Sequence, residues 1–360
     1  MTTEADGSTR TALVVGVTGI TGAALAERLV SDGWTVHGVS RSAPLNEAVR
    51  HVQADVLDSS ALRAAMSDLR PSHVFLTVWS RQESEAENIR VNGGIVRDVL
   101  EGLAPAGSVK HCALVTGLKH YIGPFEAYGL GEVRETPFHE EEPRLPYDNF
   151  YYAQEDEVFA AAEKQGFTWS VHRSHTVIGN VTGNAMNMVL TLGAAAALCT
   201  RSGRKLYFPG NDVQWNGLTD MTDASVMADQ LVWASTADGV QNEAYNIVNG
   251  DVFRWRWMWP RVTALLGVEA EPFDGTVRPV VDQMAGLEDS WPDVVREFGL
   301  RDLSIDKVAS WWHTDSDLGR PIECLTDMSK SRKAGFLAYR CTLDSFTEAI
   351  RAYRDAGVLP

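Results

Sequence analysis

Apolar and polar positions alternate with two different periods along the first half of the chain. The apolar run Thr11–Val15 ends in glycine, and residues 23–30 follow with helical spacing. Strand, turn and helix in that order predict the opening of a βαβ unit. Further strand-like runs occur at residues 35–39, 73–78, 111–116 and 168–172. The pattern therefore predicts an α/β protein with a Rossmann-type, doubly wound parallel sheet.

The second half of the chain has a different pattern. After about residue 180 the alternation weakens, and helical stretches, short strands and tryptophans replace it. We predict a disordered tail at 1–10 and a nucleotide-binding Rossmann domain at 11–180, to which parts of 205–250 return. Residues 181–360 are predicted to form most of a smaller, discontinuous, substrate-binding lobe.

The charge of the chain limits its partners. The 360 residues include 32 basic and 48 acidic side chains, giving a net charge of -16. An acidic surface disfavours nucleic acids and anionic membranes as partners. Residues 186–199 are apolar but fall short of the ~20 residues needed to cross a bilayer, so we predict a buried helix there.

The cysteines and the start of the chain indicate a cytoplasmic location. Cys112, Cys199, Cys324 and Cys341 stand alone, without the paired spacing of a zinc site or a disulfide framework. Residues 1–10 are polar and lack the basic start and apolar run of a secretory signal. We therefore expect a protein of the reduced cytosol that holds no metal.

Glycines follow the first strand-like run. Gly16, Gly19 and Gly22 lie between that strand and the first predicted helix, where a backbone must turn tightly and approach a pyrophosphate. This context predicts a dinucleotide site; a glycine-rich turn without a ligand is the alternative.

Arg41 bears on the choice of dinucleotide. It ends the second strand, where an acidic residue would favour NAD, and a guanidinium there can bind a 2′-phosphate. NADPH is therefore the predicted cofactor, with a solvated surface arginine as the alternative. Asp55 is placed to accept a hydrogen bond from the adenine amino group, although helix capping, as at Asp58, is a structural use of such residues. The predicted cofactor contacts are Gly16, Thr18, Gly19, Ile20, Gly22, Arg41, Ser42, Asp55, Val56, Thr77, Val78, Thr116, Gly117 and Val177.

Lys119 and Tyr152 are the candidates for chemistry. An ammonium and a phenol from separate segments can together polarise a bound carbonyl oxygen. Ordinary short-chain dehydrogenases carry Tyr-x-x-x-Lys, which places the lysine one helical turn from the tyrosine. Here Asp156 stands four residues after Tyr152, so Lys119 is the well-placed cation. A surface lysine and an amphipathic core tyrosine are the structural alternatives.

The motifs around these residues, together with several later ones, resemble the progesterone 5β-reductase/iridoid synthase-like family across essentially the whole chain after the tail. They are Val17-Thr18-Gly19-Ile20-x-Gly22, Thr116-Gly117-x-Lys119-His120-Tyr121-x-Gly123-Pro124-Phe125-Glu126, Asn149-Phe150-Tyr151-Tyr152-x-x-Glu155-Asp156, Ser170-Val171-His172-Arg173, Trp215-x-Gly217, Asn249-Gly250-Asp251-Val252-Phe253 and Lys333-x-Gly335-Phe336-Leu337.

This resemblance implies an extended short-chain dehydrogenase fold. It also implies NADPH-dependent reduction of the C=C bond of α,β-unsaturated carbonyl compounds, including small enones and Δ4-3-ketosteroids. Lys119 and Tyr152 match the family's catalytic pair.

An apolar wall is expected around an enone, and aromatic residues near the sheet edge are candidates for it. For Trp215 and Phe336, core packing is an equal alternative. One departure from the family is His175, which stands in a loop expected beside the nicotinamide; it either alters substrate preference or is a neutral supporting histidine. The predicted substrate contacts are Trp79, Phe125, Tyr128, Trp215 and Phe336.

Two other functions stay open on the sequence. Carbonyl reduction or alcohol oxidation would use the same phenol donor, with C=O rather than C=C presented to the hydride. A regulatory protein that senses NADP without turnover is the third reading, and the presence of both Lys119 and Tyr152 argues against it. The expected partner is a small-molecule enone, and a homodimer is left open.

Overall fold

The computed structural model describes residues 10–124, 134–184 and 186–360. The strands in these residues are short, and five of them follow the five predicted apolar runs. They are β1 (Thr11–Val15), β2 (Thr35–Ser40), β3 (Arg50–Gln53), β4 (His73–Leu76), β5 (His111–Gly117), β6 (Thr168–Ser174), β7 (Val177–Ile178), β8 (Leu206–Tyr207), β9 (Thr222–Asp223), β10 (Glu243–Ile247) and β11 (Ala270–Glu271).

Helices connect these strands and make up most of the later part of the chain. They are α1 (Ile20–Ser31), α2 (Ser59–Met66), α3 (Glu85–Leu103), α4 (Lys119–Ile122), α5 (Phe150–Gln165), α6 (Met188–Ser202), α7 (Asp212–Asn216), α8 (Ala224–Thr236), α9 (Trp255–Leu266), α10 (Val280–Met284), α11 (Trp291–Phe298), α12 (Ile305–Val308), α13 (Trp311–Leu318), α14 (Ser329–Lys333) and α15 (Thr342–Asp355).

A seven-stranded sheet has the order β10-β6-β5-β4-β1-β2-β3. Strand β1 pairs in parallel with β2 and β4, β2 with β3, and β4 with β5. The central strand β1 buries Ala12, Leu13, Val14 and Val15 completely, as expected where helices cover both faces of a parallel sheet. The predicted α/β fold with a Rossmann-type parallel sheet is confirmed.

Strand β3 has no counterpart in the sequence prediction. It ends the sheet beside β2, and Arg50, His51 and Gln53 are exposed while Val52 is half-buried. A short edge strand faces solvent and pairs through its backbone, so it needs neither an apolar run nor a clean alternation. The pattern of apolar residues therefore gave no indication of this strand.

The chain divides into two compact units. The first unit comprises Met1–His120, Pro146–Arg173 and Ala228–Tyr245, and the second comprises Tyr121–Leu145, Ser174–Met227 and Asn246–Pro360. Each unit has a hydrophobic core of its own. The first core includes side chains of β1, β4, α2, α3 and α5, and the second includes side chains of α6, α9, α11 and α15.

Helix α6 is the apolar segment that the sequence marks as a buried helix. Every residue from Met188 to Cys199 is buried, so the helix lies inside the second unit. Gly193 allows this packing, since a Cβ there would lie 2.3 Å from Leu359 Cδ1. Within the described ranges, no helix has both the length and the apolar character needed to cross a bilayer.

Three buried histidines lie on adjacent strands of the sheet: His73 on β4, His111 on β5 and His172 on β6. The Ser170 hydroxyl lies 3.0 Å from His111 Nε2 and 2.9 Å from His172 Nε2, and Gln230 Oε1 lies 2.8 Å from His172 Nδ1. Burial is the main cause that lowers the pKa of His111 to about 3, and of His73 and His172 to about 4. The first unit thus carries a layer of neutral imidazoles in its core.

Candidate active site

The glycine turn after β1 is built from close backbone approaches. Gly16 has φ +90°, and a Cβ there would lie 2.9 Å from Val78 Cβ. A Cβ on Gly22 would lie 2.2 Å from the Gly16 carbonyl oxygen, so only glycine fits where α1 begins against the strand. Gly19 is the N-cap of α1, and no side chain caps this helix. Its first-turn N–H groups and positive dipole end suit the pyrophosphate of a dinucleotide.

The end of β2 presents the residue predicted to select the cofactor. Arg41 and Ser42 are exposed at this strand end, and the Ser40 hydroxyl donates a 2.7 Å hydrogen bond to the Ser42 carbonyl oxygen. The Arg41 carbonyl accepts a 3.4 Å hydrogen bond from Gln53 on the edge strand. These two hydrogen bonds hold the backbone around Arg41, while the Arg41 side chain is exposed to solvent.

Asp55 and Asp58 are used differently. Asp58 caps α2 by accepting a 3.0 Å hydrogen bond from Ala61 N, and that bond is the main cause that lowers the pKa of Asp58. Asp55 is half-buried and accepts a 3.0 Å hydrogen bond from Leu57 N, as does a turn-forming aspartate. Its contact with adenine stays a prediction, as does that of the half-buried Val56.

The segment after β4 lies against the glycine turn. The Thr77 hydroxyl donates a 2.9 Å hydrogen bond to the Val15 carbonyl oxygen, and Val78 contacts Gly16 as described above. Trp79 follows and stacks on Phe150, with ring centroids 5.1 Å apart and planes inclined by 20°. The predicted substrate residue Trp79 therefore reaches the first turn of α5, which carries Tyr152.

The two predicted catalytic segments meet in the first unit. Lys119 begins α4 and is 6% exposed, and its Nζ lies 5.4 Å from the centre of the Phe150 ring. Tyr152 in α5 is 7% exposed, and its hydroxyl donates a 2.8 Å hydrogen bond to the His120 carbonyl oxygen. Asn149 Nδ2 donates a 2.8 Å hydrogen bond to the Lys119 carbonyl oxygen. Hydrogen bonds thus join the segment of Lys119 and His120 to the segment of Asn149 and Tyr152.

The N-terminus of α5 has further supports. Asn149 Oδ1 accepts a 2.9 Å hydrogen bond from Tyr151 N, and Glu85 Oε1 accepts one of 2.8 Å from Phe150 N. Desolvation, and then the Glu85 carboxylate, raises the pKa of Tyr151. Burial therefore disfavours ionisation of Tyr151, the tyrosine adjacent to the candidate Tyr152, and the Glu85 carboxylate adds to this effect.

These predicted residues share one edge of the sheet. Gly16, Arg41, Thr77 and Lys119 follow the carboxyl ends of β1, β2, β4 and β5, which run parallel. Ligands of open α/β sheets bind outside the carboxyl ends of the strands. Thr116 and Gly117 are buried at the end of β5 and lead directly to the lysine.

In the second unit, His175 belongs to a buried dyad that the sequence did not reveal. His175 Nδ1 lies 2.8 Å from Asp220 Oδ1, and both side chains are buried. Asp220 Oδ2 accepts hydrogen bonds from Thr326 N at 2.7 Å and from the Thr326 hydroxyl at 2.6 Å. Because Asp220 Oδ2 accepts from both donors of Thr326, Asp220 Oδ1 is the oxygen that contacts His175 Nδ1. The role of His175 in substrate preference stays a prediction.

The other predicted contacts of the second unit are placed as follows. Val177 is half-buried in β7 and pairs with Thr222 of β9. Trp215 is half-buried in α7, with its ring 4.8 Å from that of Phe208, and Phe336 is 5% exposed. Trp215 therefore packs against Phe208, a core residue of the second unit. Contacts of Val177, Trp215 and Phe336 with a ligand stay predictions. Phe125 and Tyr128 lie outside the described residues.

The sequence resembles characterised enzymes over nearly its full length. Residues 12–248 match the NAD dependent epimerase/dehydratase family. The chain is 38% identical to the (S)-8-oxocitronellyl enol synthase of Camptotheca acuminata and 38% identical to the 3-oxo-Delta(4,5)-steroid 5-beta-reductase of Arabidopsis thaliana. Each alignment covers 97% of this chain and 93% of the relative. The chain belongs to this epimerase/dehydratase family, in its progesterone 5β-reductase/iridoid synthase-like branch.

Solved structures of the same fold are more distant in sequence. The UDP-glucose 4-epimerase of Thermotoga maritima, determined with UDP-glucose, is 17% identical, with a TM-score of 0.65 over 96% of this chain and 99% of that one. The UDP-glucose 4-epimerase of Thermus thermophilus, in complex with NAD, is 18% identical, with a TM-score of 0.66 and the same coverage. These likenesses support the fold of the family.

Proposed function

We propose that this protein is an NADPH-dependent enone reductase that reduces the C=C bond of α,β-unsaturated carbonyl compounds. The observation that carries the proposal is that hydrogen bonds join the Lys119–His120 segment to the helix of Tyr152, where the Tyr152 hydroxyl already donates to a carbonyl oxygen. The relatives named as an enol synthase and a steroid 5-beta-reductase support the same chemistry. Small enones and Δ4-3-ketosteroids are the proposed substrate classes.

The proposed cofactor is a nicotinamide dinucleotide, and specifically NADPH. The family membership and the glycine turn at the start of α1 support a dinucleotide. Arg41 supports the phosphorylated form, because its exposed guanidinium stands at the strand end where the 2′ position of the adenine ribose is bound in this fold.

The bound cofactor supplies a hydride to the β-carbon of the enone. Negative charge then develops on the former carbonyl oxygen, and we assign the Tyr152 hydroxyl to donate a hydrogen bond to that oxygen. We assign Lys119, whose Nζ lies 5.4 Å from the centre of the neighbouring Phe150 ring, to keep the phenol and the cofactor oriented. The α-carbon takes its proton from water, which balances the addition of one hydride and one proton.

The site in the first unit suits this division of roles. Lys119 and Tyr152 are almost fully buried, and an electrostatic interaction is stronger where water is excluded. Trp79 and Phe150 form an aromatic pair beside them, which offers an apolar surface to an enone. The His120 carbonyl occupies the acceptor position on Tyr152 that a substrate carbonyl would take.

A turnover assay with labelled cofactor tests the proposal. NADPH deuterated at the transferred position should be oxidised by members of a panel of enones and Δ4-3-ketosteroids. The deuterium should appear on the β-carbon of the product. Deuterium on the carbonyl carbon would instead identify a carbonyl reductase. Tight binding of NADPH without oxidation across the panel would identify a sensor.

A further inference from the structure

Asn149 makes two different hydrogen bonds with one buried side chain. It is 3% exposed. Its Oδ1 accepts a 2.9 Å hydrogen bond from Tyr151 N and caps α5, while its Nδ2 donates a 2.8 Å hydrogen bond to the Lys119 carbonyl oxygen. Capping needs an acceptor alone, and serine or aspartate can supply it. The second bond needs an N–H donor, which the asparagine amide also carries.

The bond from Tyr152 to His120 is a second link between the same two segments. Its 2.8 Å hydrogen bond runs from the phenol to the carbonyl next to that of Lys119. If Tyr152 donates to the substrate oxygen, as proposed above, its single hydroxyl hydrogen must leave the His120 carbonyl. This link is therefore broken at the moment when the relative position of Lys119 and Tyr152 matters most.

We propose that Asn149 is a positioning residue, which keeps the Lys119–His120 segment against α5 while the Tyr152 hydroxyl is on the substrate. The Asn149 bond does not involve the phenol, so it persists through the exchange. One amide then aligns the helix that carries the phenol with the backbone that carries the lysine. This inference rests on the proposed function, because it assigns the hydroxyl of Tyr152 to the substrate.

Two substitutions separate the bridging bond from the cap. Asn149→Ser and Asn149→Asp both leave an acceptor for Tyr151 N, and both remove the amide N–H that reaches the Lys119 carbonyl. The serine hydroxyl is attached one atom nearer the backbone than the amide nitrogen, so it falls short of that carbonyl. We expect kcat for enone reduction to fall between about tenfold and a hundredfold in each, with the Kd for NADPH unchanged. A serine adds no charge, so agreement between the two variants assigns the loss to the donor.

Asn187 provides a matched control for stability. It is 2% exposed, its Oδ1 accepts a 3.0 Å hydrogen bond from Leu190 N at the start of α6, and its Nδ2 donates a 2.8 Å hydrogen bond to the Val181 carbonyl oxygen. Asn187 Nδ2 also donates to the Tyr353 hydroxyl, so Asn187→Ser removes the same kind of bond and one further contact from a helix of similar length. We expect the fall in Tm to be at least as large for Asn187→Ser as for Asn149→Ser, and a fall in kcat for Asn149→Ser alone.

Combination with Tyr152→Phe completes the test. If Asn149 acts through the Tyr152 arrangement, Asn149→Ser should lower the residual rate of Tyr152→Phe by less than twofold. An equal proportional loss in both backgrounds overturns the inference, as does a kcat of Asn149→Ser and Asn149→Asp within twofold of the wild-type value, when Tyr152→Phe itself shows a loss of about a hundredfold or more. Normal turnover in Tyr152→Phe would overturn the proposed function itself.

Discussion

The glycine turn at Gly16–Gly22 and the Lys119–Tyr152 pair lie near the same sheet, but the turn depends on the backbone and the pair depends on side chains. The turn uses the absence of side chains, since a Cβ on Gly22 would lie within 2.2 Å of a carbonyl oxygen. The pair uses two long side chains that the fold buries to 6% and 7% exposure. Binding thus depends on backbone shape, whereas the proposed chemistry depends on two functional groups.

This contrast means that substitutions in the two regions should have separate effects on cofactor binding and on the reaction rate. A change of backbone shape should weaken cofactor binding, and loss of a functional group should slow the reaction without affecting binding. Both regions depend on one sheet, however, so unfolding of the sheet should abolish cofactor binding and the reaction together.

Mild acid should abolish both functions together. A histidine whose pKa is lowered on folding is protonated first in the unfolded chain, so its contribution to stability is present above pH 6.5 and is lost as the pH falls toward 4. His73, His111 and His172 together should reduce the free energy of unfolding by roughly 4 kcal/mol per pH unit near pH 5. Urea unfolding monitored between pH 7 and pH 5 checks this.

Removing one imidazole should reduce that slope. His111→Asn replaces a ring whose pKa is lowered to about 3 with a group that does not titrate. We expect the pH dependence of unfolding to fall by about one third, since one of three protons is lost. An unchanged slope would show that other groups dominate acid unfolding.

Tyr152→Phe should separate chemistry from binding. Loss of one donor to a developing oxyanion costs about 3 to 4 kcal/mol, so kcat should fall by about a hundredfold to a thousandfold. The Kd for NADPH, measured by fluorescence, should stay the same. Tyr151→Phe is the matched control and should retain activity; a loss confined to that variant would reassign the donor.

Gly22→Ala should damage the cofactor site through its shape. The new methyl group would lie 2.2 Å from the Gly16 carbonyl oxygen and 2.9 Å from Thr77 Oγ1, which we expect to cost about 3 kcal/mol. Tm should fall, and the Kd for NADPH should rise more than tenfold. Gly94→Ala in α3 is the control, because no atom lies within 4 Å of its Cβ. That variant should gain up to about 1 kcal/mol of stability.

Arg41→Ala should change the choice of cofactor and little else. A hydrogen bond to a charged group contributes about 1.5 kcal/mol or more, so the KM for NADPH should rise about tenfold. The KM for NADH should change by less than twofold, and the Tm should stay the same because Arg41 is exposed. Equal effects on the two cofactors would place the 2′-phosphate elsewhere.

The sequence predicted those features that depend on neighbouring residues. Strand β1 was predicted with its observed bounds because its apolar run is continuous and ends at a glycine. The edge strand β3 was missed because an exposed strand carries no apolar pattern. Asn149 and Asp220 were missed as partners of Lys119 and His175 because their hydrogen bonds join positions 30 and 45 residues apart.

The serine between two imidazoles of the sheet has a consequence for their tautomers. Ser170 carries a single hydroxyl hydrogen, yet its oxygen is hydrogen-bonded to Nε2 of both His111 and His172. It can donate to one ring only, so at least one of the two Nε2 atoms must carry a hydrogen. The two tautomeric equilibria are therefore linked, and a nitrogen NMR spectrum of one ring restricts the state of the other.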